Sequence, residues 1–349
     1  MTAAARVSAV QLAALGAELG LDAVGAAPAA PYERAAAALA DRQARGLWDT
    51  MSFTARHPER SCDPRALVPG ARSVVAAALA VPAGPAPVPV PGEGLLPRYT
   101  WTDAYAGLRT RLEALGSRLG GEWRALVDDS DHVDRDAAQR AGLGFFGKST
   151  MLIVPGLGTW VVLGALVTTV EVEPAAGPVR DGCGSCTLCI DACPTGALDE
   201  PYAVDAGRCV SWLTQRRAPI PEEHRAALGA MPYGCDICQD VCPWNRGPGN
   251  RAADAVGGSA PLGASVSLVD WLRADPGELR ASLPRLYVQR NDPAVLRRNA
   301  AVALGNSGGP EHAALLDELA AGDADAQVAG HAAWAVQQLR GRLGGAPDA

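Results

Sequence analysis

The sequence has few aromatic residues and no long hydrophobic run. Aromatic residues make up 5% of the 349 residues, although hydrophobic residues as a whole make up 48%. The longest apolar stretches, residues 74–81 and 161–167, are too short to span a bilayer, and residues 1–6 lack the pattern of a secretory signal. We therefore expect a cytoplasmic protein with no membrane association, whose core consists largely of helices packed through small residues.

An excess of positive charge is also missing, since the formal net charge is -7. Such a chain can bind nucleic acid only through a local basic patch. Residues 271–299 contain six arginines and three acidic residues, which leaves a local charge of +3, and Arg216 and Arg217 could extend this patch. The arginines either cover an ordinary solvated surface or, if they cluster on a concave helical face, bind a phosphate backbone.

Cysteine, in contrast, is present nine times, and four of the nine form one spaced run. The run comprises Cys183, Cys186, Cys189 and Cys193, and Pro194 follows it. This is the C-x2-C-x2-C-x3-C-P pattern of bacterial ferredoxins, in which the fourth thiolate binds a different cluster from the first three. The run therefore predicts a second 4Fe-4S cluster whose other ligands lie downstream.

A second run supplies those ligands but is one cysteine short, and Cys209 can complete the set. The predicted ligands of cluster 1 are Cys183, Cys186, Cys189 and Cys242, and those of cluster 2 are Cys193, Cys209, Cys235 and Cys238. Structural zinc is the alternative, because zinc also favours C-x2-C pairs. A disulfide framework does not suit a long chain with a sizeable core. Cys62 is isolated and predicted to be an ordinary buried or loop cysteine.

The length and the changes in pattern predict three domains. Residues 1–175 are predicted to be α/β, with helices at 7–21, 32–45, 101–119 and 136–141 and strands at 73–81, 123–127, 151–154 and 159–170. Residues 176–250 form an inserted ferredoxin-like domain with two 4Fe-4S clusters, and short helices are expected at 193–198 and 209–215. A glycine-rich linker, 247–263, leads to a HEAT-like helical repeat domain at 260–349.

The repeat is recognised from two similar segments, residues 295–304 and 328–336. Asn299 and His331 occupy equivalent positions, 32 residues apart, which approximates an α-hairpin repeat. Two such units cannot bury a core alone, so they must pack on the preceding domain.

Asp128 is the best candidate for proton transfer, because it follows a short apolar strand in an α/β pattern. Helix capping is the alternative role for this acidic loop, and Asp131 or Ser130 suits it better. His132 is either a metal or cobalt ligand or a solvated loop residue. No G-x-G-x-x-G motif follows a strand, and the Gly-Lys-Ser that contains Lys148 lacks the upstream glycine of a P-loop, so it is predicted to be a plain loop.

Taken together, these stretches resemble the epoxyqueuosine reductase family. The similarity covers most of the chain and is carried by both cysteine runs, the Ala-Gly-Leu-Gly loop at 141–144 and the Arg-Arg-Asn-Ala-Ala segment at 297–301. Further matching positions are Asp63-Pro64-Arg65, Arg98-Tyr99, Val127-Asp128, Gly147-Lys148, Gly158-Thr159-Trp160 and Cys242-Pro243-Trp244-Asn245. The chain departs from the family pattern at 102–106 and 129–131, and it has Trp212 where the family usually has tyrosine.

The resemblance implies a monomeric enzyme that reduces epoxyqueuosine to queuosine at the wobble position of tRNA. It implies two 4Fe-4S clusters fed by an external low-potential electron donor, and cobalamin bound base-off in the α/β domain. Asp128 matches the catalytic acid. The implied cobalamin contacts are Arg56, Arg98, Tyr99, Asp128, Lys148 and Trp160. The implied contacts to the tRNA anticodon stem-loop are Arg216, Arg217, Arg297 and Arg298.

Two other functions are compatible with the cysteine runs. One is a cobalamin and iron-sulfur reductase that acts on a small molecule. The other is an electron-transfer module without catalysis, although residues 1–175 are more than such a module needs.

Overall fold

The structure, a computed structural model, describes residues 6–84, 87–246 and 263–344. Most of the predicted linker at 247–263 lies outside these ranges.

The strands are β1 Ala23–Pro28, β2 Ser73–Ala80, β3 Glu93–Leu95, β4 Trp123–Val127, β5 Phe145–Phe146, β6 Leu152–Ile153, β7 Val161–Thr168 and β8 Ser265–Ser267. The helices are α1 Ala9–Glu18, α2 Glu33–Ala44, α3 Pro58–Ser61, α4 Ala104–Leu119, α5 Asp134–Arg140, α6 Leu188–Asp191, α7 Val210–Leu213, α8 Glu222–Arg225, α9 Ile237–Asp240, α10 Leu268–Arg273, α11 Pro276–Ser282, α12 Pro293–Ser307, α13 Ala313–Gly322 and α14 Ala326–Gly344.

The N-terminal part is built around a four-stranded sheet in the order β1-β2-β7-β4. Every neighbouring pair is antiparallel, with Ala76 opposite Ala165 in the centre and Leu126 opposite Ala165 at the β4 edge. All eight residues of β2 are buried, as a strand covered on both faces requires. Helix α4 buries Leu108, Leu112 and other apolar residues against one face of the sheet.

Sequence patterns located most of these elements. Helices α1, α2 and α4 and strands β2, β4 and β7 fall inside the predicted ranges. No sequence pattern predicts strand β1, because its alanine and glycine residues have low strand propensity. Pairing with β2 stabilises it. The predicted helix at 193–198 is wrong, because the short helix of that loop, α6, precedes Cys193.

Helices dominate the C-terminal part. Helix α12 packs against α14, and α13 packs against α14 as well. These helices form one apolar cluster that includes Leu296, Leu304 and Leu316. Strand β3 pairs with β8, so the loop that precedes α4 is hydrogen-bonded to the segment that begins the helical part.

No helix among the described residues is long and apolar enough to cross a membrane.

Candidate active site and iron-sulfur centres

The first cysteine group, defined as Cys183, Cys186, Cys189 and Cys242, forms around one surface loop. Burial and the neighbouring thiols of Cys183 and Cys242 raise the pKa of Cys189, which shows that the chain brings Cys242 to the loop. The ammonium of Lys148 donates hydrogen bonds to the carbonyls of Gly184 and Cys186, at 2.7 and 2.9 Å. Lys148 therefore links this loop to the N-terminal part through hydrogen bonds.

The second cysteine group, defined as Cys193, Cys209, Cys235 and Cys238, consists of four half-buried cysteines. Burial raises the pKa of Cys235 to about 12 and that of Cys238 well above the ordinary thiol value. The Cys235 thiol interacts with those of Cys209 and Cys193, so thiols from separate segments meet in one place. Cys238 also interacts with Cys189, so the two groups are neighbours.

Both groups therefore have the composition that a 4Fe-4S cluster requires, which is four thiols converging on one space. Each thiol of such a cluster binds a different iron. The four sulfur atoms that bind a cluster are therefore farther from one another than four sulfur atoms that bind a single metal ion. Within residues 6–84, 87–246 and 263–344, no group of three or more His, Cys, Asp or Glu side chains is close enough to hold one metal ion.

A buried arginine connects the second cysteine group to the sheet. The backbone N–H of Arg98 donates to Asp236, the residue after Cys235, at 2.8 Å, and its guanidinium donates to Asp240 at 2.7 Å. The guanidinium carbon lies 4.2 Å from the ring centroid of Trp160. Burial raises the pKa of Asp236 to about 6, although the Arg98 charge opposes this shift.

Beside this junction the structure contains a cavity of about 210 Å³. The hydroxyl of Thr102 faces the protein interior at its wall and has no hydrogen-bond partner among the described residues. A buried polar atom of this kind requires a partner, which a bound ligand or water can supply. The cavity is lined by Tyr99, Thr100, Thr102, Asp103, Tyr105, Val127, Asp128 and Arg285.

Two acidic residues, Asp103 and Asp128, line this cavity, and Asp128 is the one at the end of a sheet strand. It directly follows β4 with a φ of +50°, a conformation uncommon for a residue with a side chain. Surrounding protein and the negative charges of Asp134 and Asp129 raise the pKa of Asp128, while Arg135 opposes the shift. A carboxyl group with a raised pKa can remain protonated and act as a general acid.

His132 lies near Asp128 but has a structural role. It is 1% exposed, with one ring nitrogen 2.9 Å from the Tyr32 hydroxyl and the other 3.0 Å from the Asp134 carboxylate. Both nitrogens are therefore occupied. The prediction of a solvated loop histidine is wrong, and the alternative of a metal ligand is not supported.

Two of the arginines predicted to contact tRNA are buried instead. Arg298 is 0% exposed and Arg216 is 7% exposed. The Arg298 guanidinium donates to backbone carbonyls, and that of Arg216 donates to Asp49 at 2.8 Å. The prediction that these two side chains bind RNA phosphates is corrected here, because neither guanidinium reaches the surface.

The other two predicted arginines form ion pairs. Arg297 pairs with the buried Asp323 at 2.7 Å, inside the helical part. Arg217 is half-exposed and pairs with Asp292 at 2.6 Å. Direct contact of Arg217 with tRNA therefore stays a prediction. The structure does not support such a contact for Arg297, whose guanidinium lies inside the helical part.

The predicted cofactor contacts do not all meet at the cavity. Tyr99 lines it, and Arg98 and Trp160 lie together next to the second cysteine group. Lys148 lies at the first group, and Arg56 is exposed near Tyr287. Sequence reasoning missed Thr102 and Arg285 as cavity residues, and no motif marks Arg285, which the fold brings from the C-terminal part.

The comparisons with known proteins agree with this geometry. Residues 182–245, which contain both cysteine runs, match the family profile of the 4Fe-4S double cluster binding domain. An epoxyqueuosine reductase of Staphylococcus aureus is 32% identical over 333 residues, which are 93% of this chain and 86% of that protein. The chain belongs to the epoxyqueuosine reductase family. It is therefore an oxidoreductase.

Other members of the family support the assignment. An epoxyqueuosine reductase of Bacillus cereus is 38% identical over 239 residues, and the match spans 62% of that relative's length. A crystal structure of epoxyqueuosine reductase with a tRNA-Tyr epoxyqueuosine-modified stem loop is 32% identical, with a TM-score of 0.83 over 95% of this chain and 89% of that one. The fold is thus that of the family, with mixed helices and strands and a 4Fe-4S binding domain.

Proposed function

We propose that the protein reduces epoxyqueuosine to queuosine at the wobble position of tRNA, the last step of queuosine biosynthesis. The observation that carries this proposal is the position of Asp128. Its carboxyl group, with a raised pKa, lines a cavity whose wall also contains Tyr99. The residue before Tyr99, Arg98, bonds to Asp236 beside Cys235. A proton donor and an electron path thus converge on one space.

The proposed cofactors are two 4Fe-4S clusters and cobalamin. The two cysteine groups fit the clusters, with the first group as cluster 1 and the second as cluster 2. The cavity is smaller than the 300–1,000 Å³ of ordinary ligand pockets, so it has room for the reacting part of a ligand and not for a whole corrinoid. Arg98, Tyr99 and Trp160 are the cobalamin contacts that this geometry favours. When bound, cobalamin supplies a cobalt centre that accepts single electrons and reacts as a strong reductant.

The overall reaction adds two electrons and two protons to the epoxide, breaks both of its carbon–oxygen bonds and releases water. The residues of the chain have two tasks in it. Asp128 donates a proton to the departing oxygen, and its raised pKa keeps the carboxyl group protonated to a higher pH than an ordinary aspartate. Tyr99 and Tyr105 limit the access of water, because both line the cavity and burial raises the pKa of both hydroxyls.

For tRNA binding, we propose three arginines, called the rim here, of which Arg135 and Arg285 lie at the cavity and Arg56 lies near Tyr287. Arg285 lines the cavity, and the charge of Arg135 acts on Asp128. Arg56 is exposed and its charge acts on Tyr287, whose ring is 40% exposed. Phosphate groups of the anticodon loop would contact this rim in place of Arg216 and Arg298.

We also propose the domain arrangement of residues 1–175, 176–250 and 260–349, the last of them HEAT-like. The packing of α12 on α14 supports it, because these helices contain the two similar segments. A tRNA substrate suits a cytoplasmic monomer that receives electrons from an external donor.

The test is anaerobic reconstitution of the chain with iron, sulfide and cobalamin, followed by reaction with tRNA that contains epoxyqueuosine. Mass analysis of the nucleosides should show conversion of epoxyqueuosine to queuosine, and Asp128→Asn should abolish most of it while both clusters stay bound. Intact clusters and corrinoid without any conversion would favour a small-molecule substrate. Clusters without corrinoid binding would favour an electron-transfer module.

A further inference from the structure

The Arg298 and Asn299 side chains bind the segment that carries one of the second group's cysteines. Arg298 donates through one Nη to the carbonyls of Leu213 and Arg216, at 2.9 and 2.7 Å. Through the other it donates to the carbonyls of Arg217 and Ala218. Helix α7 is a single turn that begins directly after Cys209 and ends at Leu213. The guanidinium thus binds the Leu213 carbonyl, which the end of this short helix leaves unpaired, and three carbonyls of the loop that follows it.

Asn299 extends this contact to a second cysteine. Its side-chain amide donates to the carbonyl of Thr214 at 2.7 Å. The Thr214 hydroxyl in turn accepts the N–H of Gly234, the residue before Cys235, at 2.9 Å. Thr214 therefore lies between the turn that carries Cys209 and the segment that carries Cys235.

A third contact comes from His331, the counterpart of Asn299 in the second similar segment. Its Nε2 accepts the N–H of Ile220 at 3.1 Å, while Nδ1 bonds to the carbonyl of Gln327. Both equivalent positions of the helical part thus bind the same loop, residues 214–220. This explains why polar side chains stand at these positions of otherwise buried helices.

We propose that Arg298 and Asn299 are positioning residues for the second cluster, and that they set the separation of Cys209 and Cys235. Cluster ligands from distant segments need an external support, since no single loop holds them together. The C-terminal helices would then complete the second cluster's binding site in addition to covering the protein's core. This inference rests on the proposed assignment of Cys193, Cys209, Cys235 and Cys238 to one cluster.

Arg297 provides the matched control. It precedes Arg298 in the same helix, but its guanidinium pairs with Asp323 and bonds to the Leu272 carbonyl, all within the helical part. Arg297→Met therefore removes a buried positive charge from α12 without touching the cysteine segments. Thr214→Val acts from the opposite side, because it keeps the side-chain shape and removes only the hydroxyl that holds Gly234.

The experiment compares the reconstituted full-length variants by iron content, by electron paramagnetic resonance of the reduced clusters and by midpoint potential. Cys186→Ser and Cys235→Ser serve to assign the signals of the first and second clusters. The wild-type chain should hold about eight irons. Arg298→Met should lose about half of them together with the second cluster's signal, whereas Arg297→Met should keep both clusters.

Thr214→Val should keep its iron but shift the resonance signal and the midpoint potential of the second cluster alone. If Arg298→Met does not fold, the Thr214→Val variant alone tests whether these contacts position the second cluster. Iron content, spectra and potentials in Thr214→Val and Arg298→Met that equal those of Arg297→Met would overturn the inference. A wild-type chain without iron would instead overturn the cluster assignment itself, and the inference with it.

Discussion

The two cysteine groups are built in different ways. The first takes three of its four members from a single loop at 183–189, which lies at the surface with Leu188 42% exposed. The second takes its members from three segments, of which one contains both Cys235 and Cys238, and burial raises the pKa of Cys209, Cys235 and Cys238. A local loop can thus arrange most of one cluster's ligands, whereas the other depends on the packing of distant parts of the chain.

This difference suits the two ends of an electron path. The first group lies on a surface loop, where a proposed external donor would approach, and Trp244, which follows Cys242 and Pro243, is partly exposed there. The second group borders Arg98 and, through it, the cavity that contains Asp128. Electrons would enter at the first group and leave at the second.

The largest expected effect comes from removing one thiol of each group. Cys186→Ser and Cys235→Ser should each lose one cluster, but Cys235→Ser should also lower the anaerobic unfolding temperature much more. The reason is that metal binding there contributes to holding separate segments together. Iron analysis and calorimetry of the two variants measure this. Equal losses of unfolding temperature would contradict the comparison.

Changing the acid of the cavity should separate proton transfer from electron delivery. Asp128→Asn should lower turnover by roughly 10²–10⁴-fold, the usual contribution of a general acid, while both cluster signals remain. Wild-type turnover should fall as the pH rises through the raised pKa of Asp128, because only the protonated carboxyl group can donate, and this fall should be missing in Asp128→Asn.

Asp129→Asn is the matched control for that prediction. Asp129 pairs with Arg124 at 3.3 Å, outside the cavity lining, and its charge helps to raise the pKa of Asp128. Turnover should stay within a few-fold of wild type, with its decline moved to lower pH. A pH profile of Asp128→Asn identical to that of wild type would exclude the acid role.

The stability of the protein should depend on Arg98, the cation that joins the sheet to the second cysteine group. Arg98→Met removes the positive charge beside Asp236 and Asp240 and should destabilise the protein by about 3 kcal/mol, the lower end for a broken buried ion pair because Asp240 is half-exposed and Asp236 keeps its backbone hydrogen bond. Arg118→Met, which removes an exposed pair with Glu18, should cost about 0–1 kcal/mol. Anaerobic denaturant unfolding compares the two, and similar costs would refute the prediction.

The smallest effect concerns pH. Burial lowers the pKa of His331 to about 4, so the folded state binds its proton less readily than the unfolded state, whose pKa is about 6.5. The contribution of this residue to stability is complete above pH 6.5 and declines as the pH falls toward 4. Between pH 7 and 5.5 the free energy of unfolding should drop by about 1 kcal/mol. His331→Gln should lack this component, and an unchanged pH slope would contradict it.

Sequence patterns predicted the first cysteine group more fully than the basic patch. The ferredoxin spacing implied two clusters, and Asp128 follows a strand as predicted, whereas the cavity beside it is visible only in the structure. The arginines at 216 and 298 were interpreted as a phosphate-binding surface, yet both are buried. A run of charges looks the same in sequence whether its side chains face solvent or backbone carbonyls, so the pattern could not distinguish these cases.

The sequence by itself determined the cluster chemistry and the longer helices and strands of the N-terminal part, because spacing and periodicity act over a few residues. Only the tertiary structure decided which polar side chains bind the segments that carry the cysteines of the second group. The bonds of Arg298 to the turn after Cys209, of Asn299 to Thr214 and of Arg98 to Asp236 join residues that are distant in the chain. Such contacts depend on how whole elements pack, and local pattern carries no information about that packing.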